Sequence, residues 1–243
     1  MGSLTPRAWE ASGITHQGNI RDHNEDAFLD LSSENLWVVA DGMGGHTSGE
    51  VASKAIVDTL RDFHATRLLG QNIRLIRQRL ENVNQYLIDQ SGDDEENIIG
   101  STLAALLIAK KHGVCLWAGD SRLYRLRSGV LKQVSRDHNE LDELIDSGVP
   151  PEQAMLSPFA GAITRAVGGD NHLLIEAQIL EIENGDIYLL CSDGLNKELS
   201  DSEIQDILST HMPGESVKKL LDTALSRKGQ DNITALVVYN TLL

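Results

Sequence analysis

Val38-Val39-Ala40-Asp41-Gly42-Met43-Gly44-Gly45-His46 is an apolar run that ends in a carboxylate, with three glycines among the next four residues. The simplest reading is a buried strand, Leu36–Ala40, that delivers Asp41 to a turn. Glycine there permits positive φ and close backbone approach, so main-chain groups can reach a ligand. Asp-Gly also makes ordinary turns. The meaning of Asp41 therefore depends on whether other carboxylates match it.

Others do. Asp120, in Gly119-Asp120-Ser121-Arg122, ends the strand-like stretch Gly113–Ala118. Asp193, in Ser192-Asp193-Gly194, ends the apolar run Ile187–Cys191. Asp231, in Gly229-Gln230-Asp231-Asn232, opens the strand-like stretch Ile233–Tyr239. Glu25 and Asp26 stand just before Ala27–Leu31, with Arg21 close by. Taken singly, each Asp is better explained as a turn residue; so many in one chain, beside an Arg, reverse that preference. If neighbouring strands bring these ends together, the like charges must be protonated or neutralised by cations. Hard oxygen donors without His or Cys spacing favour Mg²⁺ or Mn²⁺ over zinc. A carboxylate shared by two ions roughly 3.5–4 Å apart is the logic of hydrolytic two-metal centres.

Composition narrows the field. Only 4% of the 243 residues are aromatic, so the core must be aliphatic. The net charge of −15 disfavours nucleic acid, because no Lys/Arg excess exists to replace its counterions. Cys115 and Cys191 lie in apolar runs and read as small buried hydrophobes, which suits a reducing, cytoplasmic setting. No run reaches membrane-spanning length, so no membrane association is expected. Helical spacing marks Val51, Ala52, Ala55, Ile56, Leu60 and Phe63, capped by Thr47 or Ser48, and then Ile73 to Leu87. Asp93–Glu96 reads as a solvated loop. Further helices are expected near Ser202–Leu208 and Ser216–Ser226. Residues 139–163 break the strand pattern with Gly148-Val149-Pro150-Pro151 and Ser157-Pro158, and read as an inserted flap bordering a site.

Taken in order, Gly18-Asn19-Ile20-Arg21 with Asn24-Glu25-Asp26, Val39 to His46, Gly100-Ser101-Thr102, Gly119-Asp120-Ser121-Arg122, Thr164-Arg165-Ala166-Val167-Gly168, Leu190 to Leu195, and Gly229 to Thr234 resemble the metal-dependent serine/threonine phosphatases of type 2C in their compact bacterial form. The ordered set spans nearly the whole chain. The resemblance implies one catalytic domain over residues 8–241, in an α+β, four-layer α-β-β-α sandwich of two antiparallel sheets flanked by helices. It also implies two Mn²⁺ or Mg²⁺ ions per chain. Asp41 would bridge them, Asp193 and Asp231 would complete the first, and the Gly42 carbonyl would ligate the second. Glu25 would act on the second ion through water. Asp120, with Asp193, matches the position of a third, weaker site. Arg21 would hold the substrate phosphate, and Asp26 would orient the bridging water.

Animal members carry a His directly after Asp-Gly, proposed as general acid. Here that position is Met43, and His46 follows three residues later, as in many bacterial members. His46 fits a proton donor or substrate contact and an ordinary turn residue equally well. Arg122, Arg165, Ser101 and Thr102 read as structural. The expected substrates are phosphoproteins made by a bacterial serine/threonine kinase, and the expected state is a monomer. A non-enzymatic phosphoprotein-binding module would have lost Asp41, Asp193 or Asp231, and none is lost. A nucleotide phosphodiesterase is opposed by the acidic balance and the lack of basic-aromatic stretches.

Overall fold

The computed structural model describes residues 9–44, 48–92 and 98–240. One antiparallel sheet runs in the order β1 (Trp9–His16), β11 (Ile233–Asn240), β10 (Ile187–Cys191), β7 (Arg122–Arg127), β8 (Val130–Gln133). The other runs β2 (Asp26–Leu31), β3 (Leu36–Met43), β5 (Leu103–Ala109), β6 (His112–Ala118), β9 (Glu176–Glu181), with the short β4 (Gly100–Ser101) also paired to β3. The helices α1 (Ser48–Arg61) and α2 (Leu69–Ser91) cover the second sheet. The first sheet is covered by α6 (Asp201–Thr210) and α7 (Pro213–Ser226). This is the expected four-layer α-β-β-α sandwich.

Strand alternation builds three cores. Odd residues of β3, Trp37 and Val39, face the opposite sheet, while Leu36, Val38 and Ala40 face α1 and α2. In β10, Tyr188 and Leu190 face between the sheets, and Leu189 and Cys191 face the helices. In β11, Leu236 and Val238 point inward, and Ala235 and Val237 outward. A strand with both faces covered has no need of polar residues. The period-two pattern that marks a half-exposed strand is therefore erased, and these strands read as unbroken apolar runs. Cys115 and Cys191 are fully buried, and burial pushes both thiols up.

Four details differ from the expectations. First, β3 does not stop at Ala40: it continues through Asp41 and Gly42 to Met43, because β2 and β4 flank it there and satisfy its backbone. Second, Ser101–Ala109 reads in the sequence as one strand, but it is split at Thr102 into β4 and β5, both paired to β3. Third, Asp193, read as the residue that ends a strand, also opens a one-turn helix, α5 (Asp193–Asn196), that was not expected. Fourth, Leu173–Ile182 reads in the sequence as one strand, but β9 begins at Glu176. The remaining insertion carries α3 (Glu140–Asp146) and α4 (Pro151–Ala154). It leaves and returns at adjacent points, since Asn139 and Ile163 form a β-bridge and Asn139 Oδ1 caps α3 through the Asp142 N–H at 2.8 Å. Thr47, His46 and Asp93–Glu96 lie outside the described residues.

The inter-sheet core predicts a sharp contrast in unfolding experiments. Leu106→Ala empties a fully buried position between the sheets. It should lower stability by about 2–5 kcal/mol. Ile179→Ala, on a side chain 57% exposed, should change it by less than about 0.5 kcal/mol. Urea denaturation of both variants checks this.

Candidate active site

The same alternation that builds the inter-sheet core delivers the acidic residues at its end. Phe28 packs between the sheets, so Asp26 two residues earlier faces the same way. Val39 does so too, which puts Asp41 on that face. Asp26 and Asp41 are register partners across β2 and β3. Directly opposed residues have Cβ atoms only about 4.5–5.5 Å apart, and two carboxylates there repel. Ser192 follows Tyr188 and Leu190 in phase on the other sheet, and its hydroxyl donates to Asp26 Oδ2 at 2.7 Å. That one bond ties the two sheets together at the site.

The backbone of Asp41 is fixed from β4 and the start of β5. Its N–H donates to Thr102 Oγ1 at 3.0 Å, and its carbonyl accepts from Ser101 Oγ at 3.0 Å and from the Thr102 N–H at 2.9 Å. Gly42 then runs against the first turn of α1. A Cβ on Gly42 would collide with the Gly49 carbonyl, and one on Gly49 would come 2.7 Å from Glu25 Oε1. The Gly42 N–H donates to the Glu25 carbonyl at 3.1 Å. Glycine at 42 is therefore required by close approach, not by positive φ, which among the described glycines of this stretch belongs to Gly44.

Loop 17–25, which carries Arg21 and Glu25, is held by Asn232. Its Oδ1 accepts from the Glu25 N–H at 2.8 Å, and its Nδ2 donates to the carbonyls of Gln17 at 2.9 Å and His23 at 2.8 Å. Asn19 anchors the other side of the loop, its N–H donating to the Gly229 carbonyl at 2.7 Å. Arg21 Nη2 lies 2.9 Å from Asp231 Oδ1.

The electrostatics follow from crowding. Burial, and then Asp26, Asp193, Asp120 and Asp231, hold the Asp41 carboxyl well above its usual range. Burial pushes Asp26 up to about 7 against the Ser192 hydrogen bond, and pushes Asp120 up to about 7 with help from Asp193. Burial also raises Asp193 and Glu25, outweighing Lys197 at the first and Gly49 and Arg21 at the second. Four carboxylate oxygens, Glu25 Oε1, Asp26 Oδ1, Asp120 Oδ1 and Asp193 Oδ1, are buried without any hydrogen-bond partner.

Unpaired buried acceptors are costly, and these are all hard oxygens beside one another's charge. The set fits divalent cations such as Mg²⁺ or Mn²⁺. Among the described residues no three side chains are already drawn into a closed ligand set. Lys197 Nζ instead pairs with Asp193 Oδ2 and stands 3.4 Å from Asp231 Oδ2.

Glu25, Asp26, Asp41, Asp120, Asp193, Asp231 and Arg21 thus gather at one end of the sandwich, and His46 lies outside the described residues. Arg122 forks onto Asp137, with Nη2 to Oδ2 at 2.7 Å, and Arg165 Nη1 bonds Glu176 at 2.8 Å, as expected of structural residues. Asn232, Ser192 and Lys197 were not foreseen. Asn232 and Ser192 adjoin the acidic motifs in sequence, and that adjacency is the only signal they offered.

The Protein phosphatase 2C family profile matches residues 15–235. Serine/threonine phosphatase stp of Listeria welshimeri is 35% identical over 239 residues, covering 94% of this chain and 95% of that one. Among solved structures, PppA of Pseudomonas aeruginosa, described as a key regulatory component of T6SS, superposes with a TM-score of 0.88 at 44% identity, over 96% of this chain and 97% of that one. The catalytic domain of PstP in complex with 2 manganese ions gives a TM-score of 0.82 at 32% identity, over 95% and 97% of the two chains.

The raised carboxyls predict a pH dependence with a definite sign. Asp26 and Asp120 titrate near 7 in the folded protein and near 3.9 when unfolded. Between those values the folded state binds more protons, so stability of the metal-free protein falls as pH rises through that window. Thermal unfolding between pH 5 and 8 should show a falling Tm. Saturating Mn²⁺ should flatten the slope, with protons released on binding near pH 6.5.

Proposed function

The chain belongs to the protein phosphatase 2C family and is a protein serine/threonine phosphatase, and we propose that it hydrolyses phosphoserine and phosphothreonine monoesters at this acidic cleft with two Mn²⁺ or Mg²⁺ ions. The observation that carries the reading is the set of unpartnered carboxylate oxygens around the opposed Asp26–Asp41 pair. Asp41, Asp193, Asp231 and the Gly42 carbonyl are assigned as ligands, Glu25 as a ligand through water, and Asp120 with Asp193 as a third, weaker site. Bound divalent ions supply positive charge and lower the pKa of water, so that hydroxide is available near neutral pH.

The protein's own groups do the rest. Arg21 is half-exposed and spends one edge on Asp231, leaving guanidinium donors for the phosphate oxygens in a planar fork. Asp26 is held rigidly through Oδ2 by Ser192. Its free Oδ1 accepts a hydrogen bond from the attacking water and so fixes the direction of attack. Asn232 keeps Arg21 and Glu25 in register with Asp231, which preserves alignment between phosphate and nucleophile. His46 is assigned as substrate contact and proton donor to the leaving oxygen. The flap over residues 139–163 is assigned to substrate selection. A monomer opposing a bacterial serine/threonine kinase is the expected setting, and likeness to PppA supports a secretion-system circuit for it.

Hydrolysis of p-nitrophenyl phosphate and of a phosphothreonine peptide should require Mn²⁺. Asp193→Asn should lower kcat by at least about a hundredfold. Arg21→Ala should raise KM by roughly tenfold. Activity that survives both chelation and Asp193→Asn would falsify the two-ion reading. His46→Ala should slow the peptide more than p-nitrophenyl phosphate, whose leaving group needs no proton. Equal losses on both substrates would remove His46 from acid catalysis.

A further inference from the structure

Lys197 follows α5 directly, and four residues of spacing return its ammonium to Asp193 Oδ2, with Asp231 Oδ2 3.4 Å away. The two carboxylates it joins come from different parts of the chain, one opening α5 and one preceding β11. The pair is not sealed: the Lys197 side chain is 55% exposed. On its open side lies a pocket of about 500 Å³ lined by Arg21, Gly194, Lys197, Lys228 and Gln230, with Glu198 and Asp231 the acids among its lining residues. In a protein of net charge −15, three cations around one pocket are a local reversal of sign.

An ammonium and a divalent cation cannot both take up the charge of Asp193 and Asp231. Entry of the ions cancels the attraction that holds Lys197 and adds repulsion between cations. The lysine stem has four rotatable carbons, so Nζ can swing by several ångströms without any backbone change. The space open to it is the pocket.

We propose that Lys197 is a displaceable cation of this centre, one that holds Asp193 and Asp231 until divalent ions enter and is then released into the pocket it shares with Arg21 and Lys228. The pocket becomes a subsite for an acidic side chain next to the phosphorylated residue of the substrate. The inference rests on the metal-centre reading above. Arg21 would then sit between two anions, the phosphate and the neighbouring carboxylate. The cost of ordering the peptide is shared between them.

The test uses metal-stripped protein and Mn²⁺ calorimetry on wild type, Lys197→Met and Lys197→Arg. Lys197→Met removes the competing charge at similar length and should bind Mn²⁺ about fivefold more tightly, the size of a part-exposed ion pair. Lys197→Arg keeps the charge and should bind like wild type. A second measurement compares phosphothreonine peptides that carry Glu or Gln beside the phosphorylated residue. Wild type should show a KM several-fold lower for the Glu peptide with little change in kcat, and Lys197→Met should lose that difference. Unchanged or weaker Mn²⁺ binding by Lys197→Met overturns the displacement. A Glu preference that is absent from wild type, or intact in Lys197→Met, overturns the subsite. If neither wild type nor variant binds Mn²⁺, the metal reading itself falls and this inference with it.

Discussion

The structure depends on one unfavourable contact: Asp26, buried, and Asp41, half-buried, opposed across two adjacent strands. Nothing in a β-sheet gains from two carboxylates in that position. They persist because the surrounding framework over-determines them. Ser192 reaches across from the other sheet to one, and Ser101 and Thr102 clamp the backbone of the other. Local cost held in place by distributed packing is a common sign of a working site. The three hydrophobic cores supply that packing, since β3 and β10 are apolar on both faces just before Asp41 and Ser192-Asp193.

The acids differ in how they are held, and the difference matches their assigned work. Asp26 is immobile, sealed beneath Ser192, and suits orientation. Asp193 and Asp231 are paired with flexible or half-exposed cations, Lys197 and Arg21. Those partners are exchangeable. A site that must accept ions from water, and later release a product phosphate, needs some ligands whose existing partners can leave without disturbing the backbone. The rigid Gly42–Gly49 contact belongs to the sheet of β3, and the exchangeable Lys197 pair to acids at the ends of β10 and β11 in the other sheet.

Much of this was legible in the sequence, for identifiable reasons. Strands buried on both faces announce themselves as apolar runs, so β3, β6, β10 and β11 stood out, and an Asp at the end of each run could be read as part of a set. The layering was not legible by alternation, because Trp37 facing a sheet and Val38 facing a helix are both simply apolar. The resemblance to a known family supplied it. The extension of β3 through Asp41 was missed because its support comes from β2 and β4, not from its own residues. Asn232, Ser192 and Thr102 act through partners tens to hundreds of residues away, and an amide or hydroxyl carries no mark of that in the chain. Lys197 was hidden by a missed element: with no helix expected at Asp193, no helical spacing connected the two.

The strand that separates β1 from β10 is β11, and Asp231 and Asn232 stand at its head. Residues 9–16 therefore wait for residues 233–240 before they have a partner in the sheet. The loop bearing Arg21 has no brace until then. During synthesis from the N-terminus, Glu25, Asp26, Asp41 and Asp120 exist long before Asp231 and Asn232, yet the set cannot assemble without them. The cleft is thus completed by a pairing of very long sequence separation, Trp9 with Asn240 through His16 with Ile233, and not by local structure.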